Sequence, residues 1–414
     1  MVRLWPHETK HILSALQFNR ESLGMMFRGT QTIKTLYNGA DEPSFLRYCL
    51  LKESGAQFRA CLLFCGESTR TRSSFEEAFE QLGGVAKFKR LEFSSAAKGE
   101  GHKSTAIIEA QYGFDCLIVR DDKHRDAARV MAQALETHEI PTIVINAGGG
   151  EHPTQMLLDL YTIWERLPDA LNNGKLTIAF IGDIAHSRTI HSLLMALTEF
   201  GGVAHLVGPE AAKLPPMVTE RLRDSALTVI KTARIRDIVA DADVFYFTRL
   251  QDNLRKRKPS DAERKKYASQ FCANPYMRKH MKPDSLALHP LPHGPEYPSE
   301  LDDKVDPRFI HFEQAKNGLY VRQWLLKEIF APTFDLRANA APEETVVVSG
   351  AVSAFPVRIR DITGSCAAPD CASIRLRGSD WVRMDPHIKS HLRKPLILCP
   401  YCRPDPVTVQ REYP

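Results

Sequence analysis

No apolar run in the 414-residue sequence approaches the roughly 18–20 residues that cross a bilayer. The opening segment, Met1 to Glu8, has no long apolar stretch of the kind a secretory signal carries. Both absences point to a cytoplasmic protein without a membrane partner. An excess of one charge is missing too: the net charge is +5. The densest basic run, Arg255-Lys256-Arg257-Lys258 with Arg264-Lys265-Lys266 nearby, has no interleaved aromatics. It reads as a solvated loop that adds positive potential near an anionic ligand, and no nucleic-acid partner is expected. Internal repeats and low-complexity tracts are absent as well.

What remains is an ordinary globular composition, 43% apolar and 25% charged, in a chain long enough for two to three domains. Apolar runs at 59–64, 116–119, 142–145, 176–181, 203–207, 244–247 and 286–288 alternate with helical periodicity, including a helix over 157–167. Such alternation predicts α/β architecture with two doubly wound parallel sheets. The stretch from Pro168 to Gly174 breaks the chain, so the first domain is placed at 1–167 and the second at 168–330, with a helix near 314–330 returning to the first. Residues 331–345 are small, charged and proline-containing, like a linker. A small β-rich domain is expected over 346–414.

Ligands of open α/β sheets sit beyond the carboxyl ends of the strands, so the residues that follow each strand matter most. After the first run come Ser68, Thr69, Arg70, Thr71 and Arg72, opening a helix with Phe75, Ala78, Phe79 and Leu82 on one face. Hydroxyls, a guanidinium and free backbone N–H groups at a helix start make a phosphate site. A simple helix cap needs one Ser or Thr and leaves the arginines unexplained. Arg120 follows the next strand, and Asn146 to Gln155, containing His152, follows another. Arg188 opens a helix after Gly182-Asp183. Thr248-Arg249-Leu250-Gln251 and His289-Pro290-Leu291-Pro292 complete the set. Singly, each has a structural explanation. Together they describe a cleft for strongly anionic ligands.

In order, Ser-Thr-Arg-Thr-Arg, His-Pro-Thr-Gln-x-Leu-Leu-Asp, Gly-Asp-x4-Arg-Thr-x-His-Ser-Leu, Thr-Arg-x-Gln and His-Pro-Leu-Pro resemble the motif set of aspartate carbamoyltransferase catalytic chains, over residues 10–330. The resemblance implies transfer of the carbamoyl group of carbamoyl phosphate to L-aspartate, a step of pyrimidine biosynthesis. It implies that Ser68, Thr69, Arg70, Thr71 and Arg120 hold the phosphate. His152, Gln155 and the Thr71 hydroxyl contact the carbamoyl group. Arg188, Arg249 and Gln251 hold aspartate, and the carbonyls around Leu291 and Pro292 face the reacting groups. Ser94 and Lys98 match a loop that reaches the neighbouring subunit's site, Lys98 joining the phosphate and aspartate charges there. The first-domain segments supply no other lysine. A homotrimer, or a dimer of trimers, follows from that sharing.

Two features depart from the family pattern. His293-Gly294-Pro295-Glu296 stands where an arginine usually follows His-Pro-Leu-Pro, and the loop Ala147–Glu151 is two residues short. Ornithine carbamoyltransferase is the nearest rival, but a second substrate carboxylate accounts for Arg249 and a cationic ornithine tail does not. An inactive scaffold that keeps the fold is the reading from another class.

Nine cysteines divide into two groups. Cys49, Cys61, Cys65, Cys116 and Cys272 are scattered and read as reduced core residues. Cys366 and Cys371, with Cys399 and Cys402, form C-x4-C and C-x2-C pairs. In a reducing compartment this pattern predicts a structural tetrahedral zinc site rather than disulfides. A region of about 70 residues has little core, so metal would supply much of its folding energy. The spacing also resembles the zinc domain of the aspartate carbamoyltransferase regulatory chain, without that chain's nucleotide-binding domain. No metal is expected in the catalytic step. A separate regulatory or dihydroorotase chain is left open.

Overall fold

A computed structural model describes residues 10–38, 46–65, 69–91, 101–209, 213–251, 260–298 and 305–336, together with short strands beyond 344. Ser68, Ser94, Lys98 and the cysteines at 366, 371, 399 and 402 lie outside the described residues.

The chain runs through α1 (Arg20–Asn38), β1 (Arg59–Cys65), α2 (Thr69–Gln81), β2 (Val85–Arg90), α3 (His102–Gln111), β3 (Cys116–Asp121), α4 (Ala127–Thr137), β4 (Ile143–Asn146), α5 (Pro153–Arg166) and α6 (Pro168–Asn172). It continues through β5 (Thr177–Gly182), α7 (Arg188–Leu197), β6 (Gly202–Val207), α8 (Pro216–Arg223), β7 (Leu227–Lys231), β8 (Val244–Thr248), α9 (Asp261–Gln270), α10 (Pro275–His280), β9 (Leu286–Leu288) and α11 (His311–Phe330). Two parallel sheets result, in the orders β2-β1-β3-β4 and β7-β6-β5-β8-β9.

Central strands such as β1 and β8 are buried along nearly their whole length. Helices cover both faces of such a strand, which is why it reads as an unbroken apolar run. The two strands absent from the sequence reading, β2 and β7, each lie at one edge of their sheet. Each carries lysine and is partly exposed, with no apolar run to betray it. Charged, short edge strands are how sheets avoid pairing with other chains. The stretch after Leu167 is not a plain break: Pro168–Asn172 forms one short helix. α5 begins at Pro153, not 157, because His152 caps it and proline fits its first turn.

One core runs through both sheets: Phe27, Phe79, Leu157, Phe180, Leu194 and Trp324 belong to the same cluster. α11 makes this possible. It lies against α1, α2 and α5 and also touches β9 of the second sheet. Tyr320 packs on Tyr37, and Phe330 on Phe58 and Phe79. The outer face of each sheet has its own smaller cluster.

Cys49, Cys61, Cys65 and Cys116 are buried and Cys272 is half-buried, and none of the five is in a disulfide. Desolvation pushes Cys49 and Cys61 up to about 12, so neither is a thiolate nucleophile at neutral pH. Beyond residue 344, β10 (Thr345–Ser349) pairs antiparallel with β11 (Phe355–Arg358) and β14 (Thr408–Arg411), while β12 (Val382–Arg383) pairs with β13 (Ile397–Leu398). No helix among the described residues is long and apolar enough to cross a membrane.

Candidate active site

The carboxyl ends of β1, β3, β4, β5, β8 and β9 converge on one cleft of about 690 Å³. Its walls hold Thr69, Arg70, Thr71, Arg120, His152, Gln155, Arg188, Arg249, Gln251, Leu291 and Pro292. Every site residue expected from the sequence and described in the structure is therefore brought together. Sequence reasoning missed others on the walls, among them Asp122, Lys123, Gln314 and Arg322. Lys123 also overturns the expectation that the first domain supplies no lysine here. It sits two residues past the end of β3 in a polar turn, where spacing alone gives no direction.

Five arginines and Lys123 face a single carboxylate, Asp122, among these lining residues. That imbalance is costly in an empty cleft and is relieved by an anion. Burial and the neighbouring Arg188 charge bring Arg120 down to about 10, and its buried Nε has no hydrogen-bond partner. Arg70 is lowered by burial and by Arg249 on the opposite sheet. Arg322, buried mid-helix in α11 with its guanidinium over Phe75, is also brought down to about 10 by burial. Its place among apolar neighbours in the last helix was the signal that could have found it.

Thr69, Arg70 and Thr71 form the first turn of α2, where backbone N–H groups lack helical partners. The turn after β4 is built by Asn146, whose Oδ1 accepts from Gly148 N (3.0 Å) and Gly149 N (2.8 Å). Gly148 has φ +129°, open to glycine at little cost, and the turn delivers His152 to the cleft. Burial, reinforced by Arg120 and Arg188, holds His152 well below the usual imidazole range, so it is neutral. Its Nδ1 accepts from Gln155 N (3.3 Å), leaving Nε2 as the N–H donor. Gln155 donates its amide to Asp159 Oδ1 (2.8 Å), which turns its carbonyl oxygen outward as an acceptor.

The second sheet supplies the rest. Asp183 accepts from Gln251 N (2.9 Å) and meets His186 Nδ1 (2.8 Å), tying the ends of β5 and β8. Gly182 is required where it stands: a Cβ there would lie 2.3 Å from the Thr248 carbonyl oxygen. In the β9 loop, Leu291 adopts φ +57° and its bond to Pro292 is cis. Such a leucine backbone persists only when its surroundings hold it. His289 does so through Nδ1, which accepts from Leu291 N (2.8 Å), and its Nε2 lies 3.1 Å from Glu296 Oε1. Glu296 also accepts from Gly294 N (2.8 Å). The departure His293-Gly294-Pro295-Glu296 thus carries an internal brace for the loop. The short Ala147–Glu151 loop is braced similarly: Glu151 accepts from Ser14 Oγ (2.8 Å) and Ala15 N (3.0 Å).

The sheets meet through Asp122. Arg188 Nη1 donates to its Oδ1 at 2.5 Å, and Arg120 Nε lies 3.5 Å from the same oxygen.

Two family models match the chain: the carbamoyl-phosphate-binding domain of aspartate/ornithine carbamoyltransferases over residues 10–165, and their Asp/Orn-binding domain over 174–329. The aspartate carbamoyltransferase catalytic subunit of Chromobacterium violaceum is 34% identical over 328 residues, 78% of this chain and 99% of that one. That of Methanosphaerula palustris is 38% identical over 272 residues, 65% of this chain and 86% of that one. Aspartate transcarbamoylase of Trypanosoma cruzi, solved with N-(phosphonacetyl)-L-aspartic acid, superposes with TM-score 0.66 at 27% identity, over 78% of this chain and 96% of that one. The catalytic subunit from M. jannaschii gives TM-score 0.66 at 28% identity, over 78% and 99%. Both family models together span nearly all of the two parallel-sheet domains that build the cleft, and the chain belongs to the aspartate/ornithine carbamoyltransferase family, among its aspartate carbamoyltransferase catalytic subunits.

Proposed function

We infer that the chain transfers the carbamoyl group of carbamoyl phosphate to the amino group of L-aspartate, giving N-carbamoyl-L-aspartate and phosphate. The observation that carries this reading is the excess of guanidinium groups, from both sheets, around one cleft. Thr69, Arg70, Thr71 and Arg120, with Ser68, take the phosphate. His152 donates from Nε2 to the carbamoyl oxygen and Gln155 accepts from the carbamoyl NH2. Arg188 and Arg249, aided by Gln251, take the two carboxylates of aspartate, and the braced Leu291–Pro292 carbonyls face the amine. The amine lone pair forms the new C–N bond. The C–O bond to phosphate breaks with its electron pair going to phosphate, and the amine proton ends on that leaving group. Fixed donors meet the charge developing on both oxygens, and holding two anions side by side removes much of the entropic barrier.

A colorimetric assay for carbamoyl aspartate tests this directly. Product should form with aspartate and carbamoyl phosphate, and none with ornithine in place of aspartate. Citrulline formation without carbamoyl aspartate would overturn the reading. So would the absence of any product, which leaves the scaffold.

Asp122 competes with substrate for Arg188 in this scheme. Asp122→Asn should therefore lower the KM for aspartate about threefold to tenfold, the scale of a partly buried ion pair. An unchanged or higher KM would mean that Asp122 positions Arg188 rather than blocks it.

Each active site is proposed to be shared: Ser94 and Lys98 of a neighbouring subunit complete it within a homotrimer or a dimer of trimers. Lys98→Ala and Arg70→Ala should each be nearly inactive. Mixed trimers of the two should regain activity, because some sites pair an intact Arg70 with an intact neighbouring Lys98. No recovery, while wild-type chains reassemble well, would rule out sharing.

Cys366, Cys371, Cys399 and Cys402 are proposed to hold one structural zinc. The paired β12–β13 ribbon ends at Leu398, immediately before Cys399. A two-stranded ribbon running into C-x2-C suits a thiolate cage. Cys399→Ser should lose one equivalent of zinc by elemental analysis and fail to fold or assemble normally. Equal metal content in variant and wild type would count against the site.

A further inference from the structure

On the far side of β3 from the phosphate arginine, three side chains meet that the carbamoyl chemistry does not use. Asp121 ends β3, His102 opens α3, and His124 lies in the turn after Asp121. His102 Nε2 and His124 Nδ1 each lie 3.0 Å from the same carboxylate oxygen, Asp121 Oδ2. One donor atom from each of the three falls within 4.8 Å of the others. The two rings stand edge to face with centroids 5.0 Å apart. None of the three lines the cleft.

We propose that His102, Asp121 and His124 form a divalent transition-metal site, zinc being the natural occupant. Zn–N and Zn–O bonds of about 2.0–2.1 Å place neighbouring ligand atoms roughly 3.3 Å apart at a tetrahedral centre. The two 3.0 Å separations need to open by only a few tenths of an ångström to admit the ion. The carboxylate is held for the purpose. Asp121 is buried, and its other oxygen, Oδ1, accepts from Lys123 N (2.8 Å) and His124 N (3.0 Å). Oδ2 is thereby fixed toward the imidazoles. The His124 side chain is 62% exposed, so an ion has an entry path and a water can fill the fourth position. Two neutral imidazoles donating to one carboxylate would also satisfy the atoms. That arrangement leaves unexplained why histidines from two separate elements converge on one oxygen while that carboxylate is already anchored by backbone. Two imidazoles and one carboxylate with an open position favour zinc or cobalt over magnesium or calcium.

Position gives the site a consequence. Along β3 and the turn after it, Arg120, Asp122 and Lys123 line the cleft while Asp121 turns away. A metal clasped by Asp121 and His124 would pin the turn that carries Asp122 and Lys123.

The test uses the full chain as purified, freed of loosely held metal and titrated with Co2+. The wild type should take up one equivalent with the weak visible absorption of a nitrogen–oxygen site. In His124→Ala and Asp121→Asn that absorption should vanish or move to a cobalt concentration more than about a hundredfold higher, beyond what loss of an outer partner costs. Asn at 121 keeps an oxygen for the two backbone donors, so this variant separates ligand loss from misfolding. Any thiolate-bound cobalt announces itself by intense charge-transfer bands, the same in all three proteins. No visible nitrogen–oxygen band in the wild type, or equal titrations in wild type and both variants, would overturn the proposal.

Discussion

Arg249→Ala is expected to keep carbamoyl phosphate binding while losing productive aspartate binding, and Arg70→Ala to lose carbamoyl phosphate itself. The two guanidiniums stand at the ends of different sheets, Arg70 in the first turn of α2 and Arg249 just past β8. Each charge-assisted contact is worth about 1.5–3 kcal/mol, or tenfold to over a hundredfold in affinity. The separation is not absolute, because Arg249 already presses on Arg70 across the cleft. Removing Arg249 takes away positive field, so carbamoyl phosphate affinity should fall by no more than about threefold, the scale of a screened surface charge. Calorimetry decides between them. Unchanged carbamoyl phosphate binding in Arg70→Ala would undo the assignment of the phosphate to the first sheet.

Asp159→Ala is expected to cost about 3–5 kcal/mol of stability and most of the activity. Its buried carboxylate accepts from Gln155 Nε2 (2.8 Å), Gln314 Nε2 (2.6 Å) and Tyr246 Oη (2.7 Å). Those donors come from α5, α11 and β8, so one side chain fastens both sheets and aims Gln155 at the carbamoyl group. Alanine leaves all three buried and unpaired. Asparagine keeps the first two bonds on its oxygen, and the Tyr246 hydroxyl can turn to accept the third. Burial pushes the Asp159 carboxyl up to about 7. A folded-state value above the unfolded one means that the native protein binds the extra proton between about pH 4 and 7. Wild-type stability from this group therefore falls as pH rises through that window. Asp159→Asn lacks the slope, so it should gain on the wild type between pH 5 and pH 8 in urea titrations. An alanine variant with an unmoved urea midpoint would show that the three donors find other partners.

The residues legible in the sequence share one property: each follows a strand. In a parallel sheet all carboxyl ends face one way, so runs such as 59–64 and 244–247 hand their next residues to the same place. Arg70, Arg120, His152, Arg188 and Arg249 were found on that ground. Gln314 and Arg322 were not, because they come from a helix whose relation to the strands is set by tertiary packing. Asp122 was invisible for a different reason. Its role depends on lying 2.5 Å from a residue 66 positions away, and spacing does not encode that. Glu296 reads as a surface charge in a proline-rich loop until His289 is seen beside it.

The last helix of the catalytic region also sets the order in which the protein can mature on the ribosome. α11 closes the layer formed by α1, α2 and α5, yet it begins 145 residues after α5 ends. At about 5–20 residues per second, the first sheet's helices wait roughly 7–30 s for their final neighbour. Phe58, Phe79 and Tyr37 lack the Phe330 and Tyr320 rings during that interval. The amino-terminal half cannot finish before the carboxyl-terminal half, and a nascent chain stalled near residue 300 would present an apolar face suited to chaperone capture.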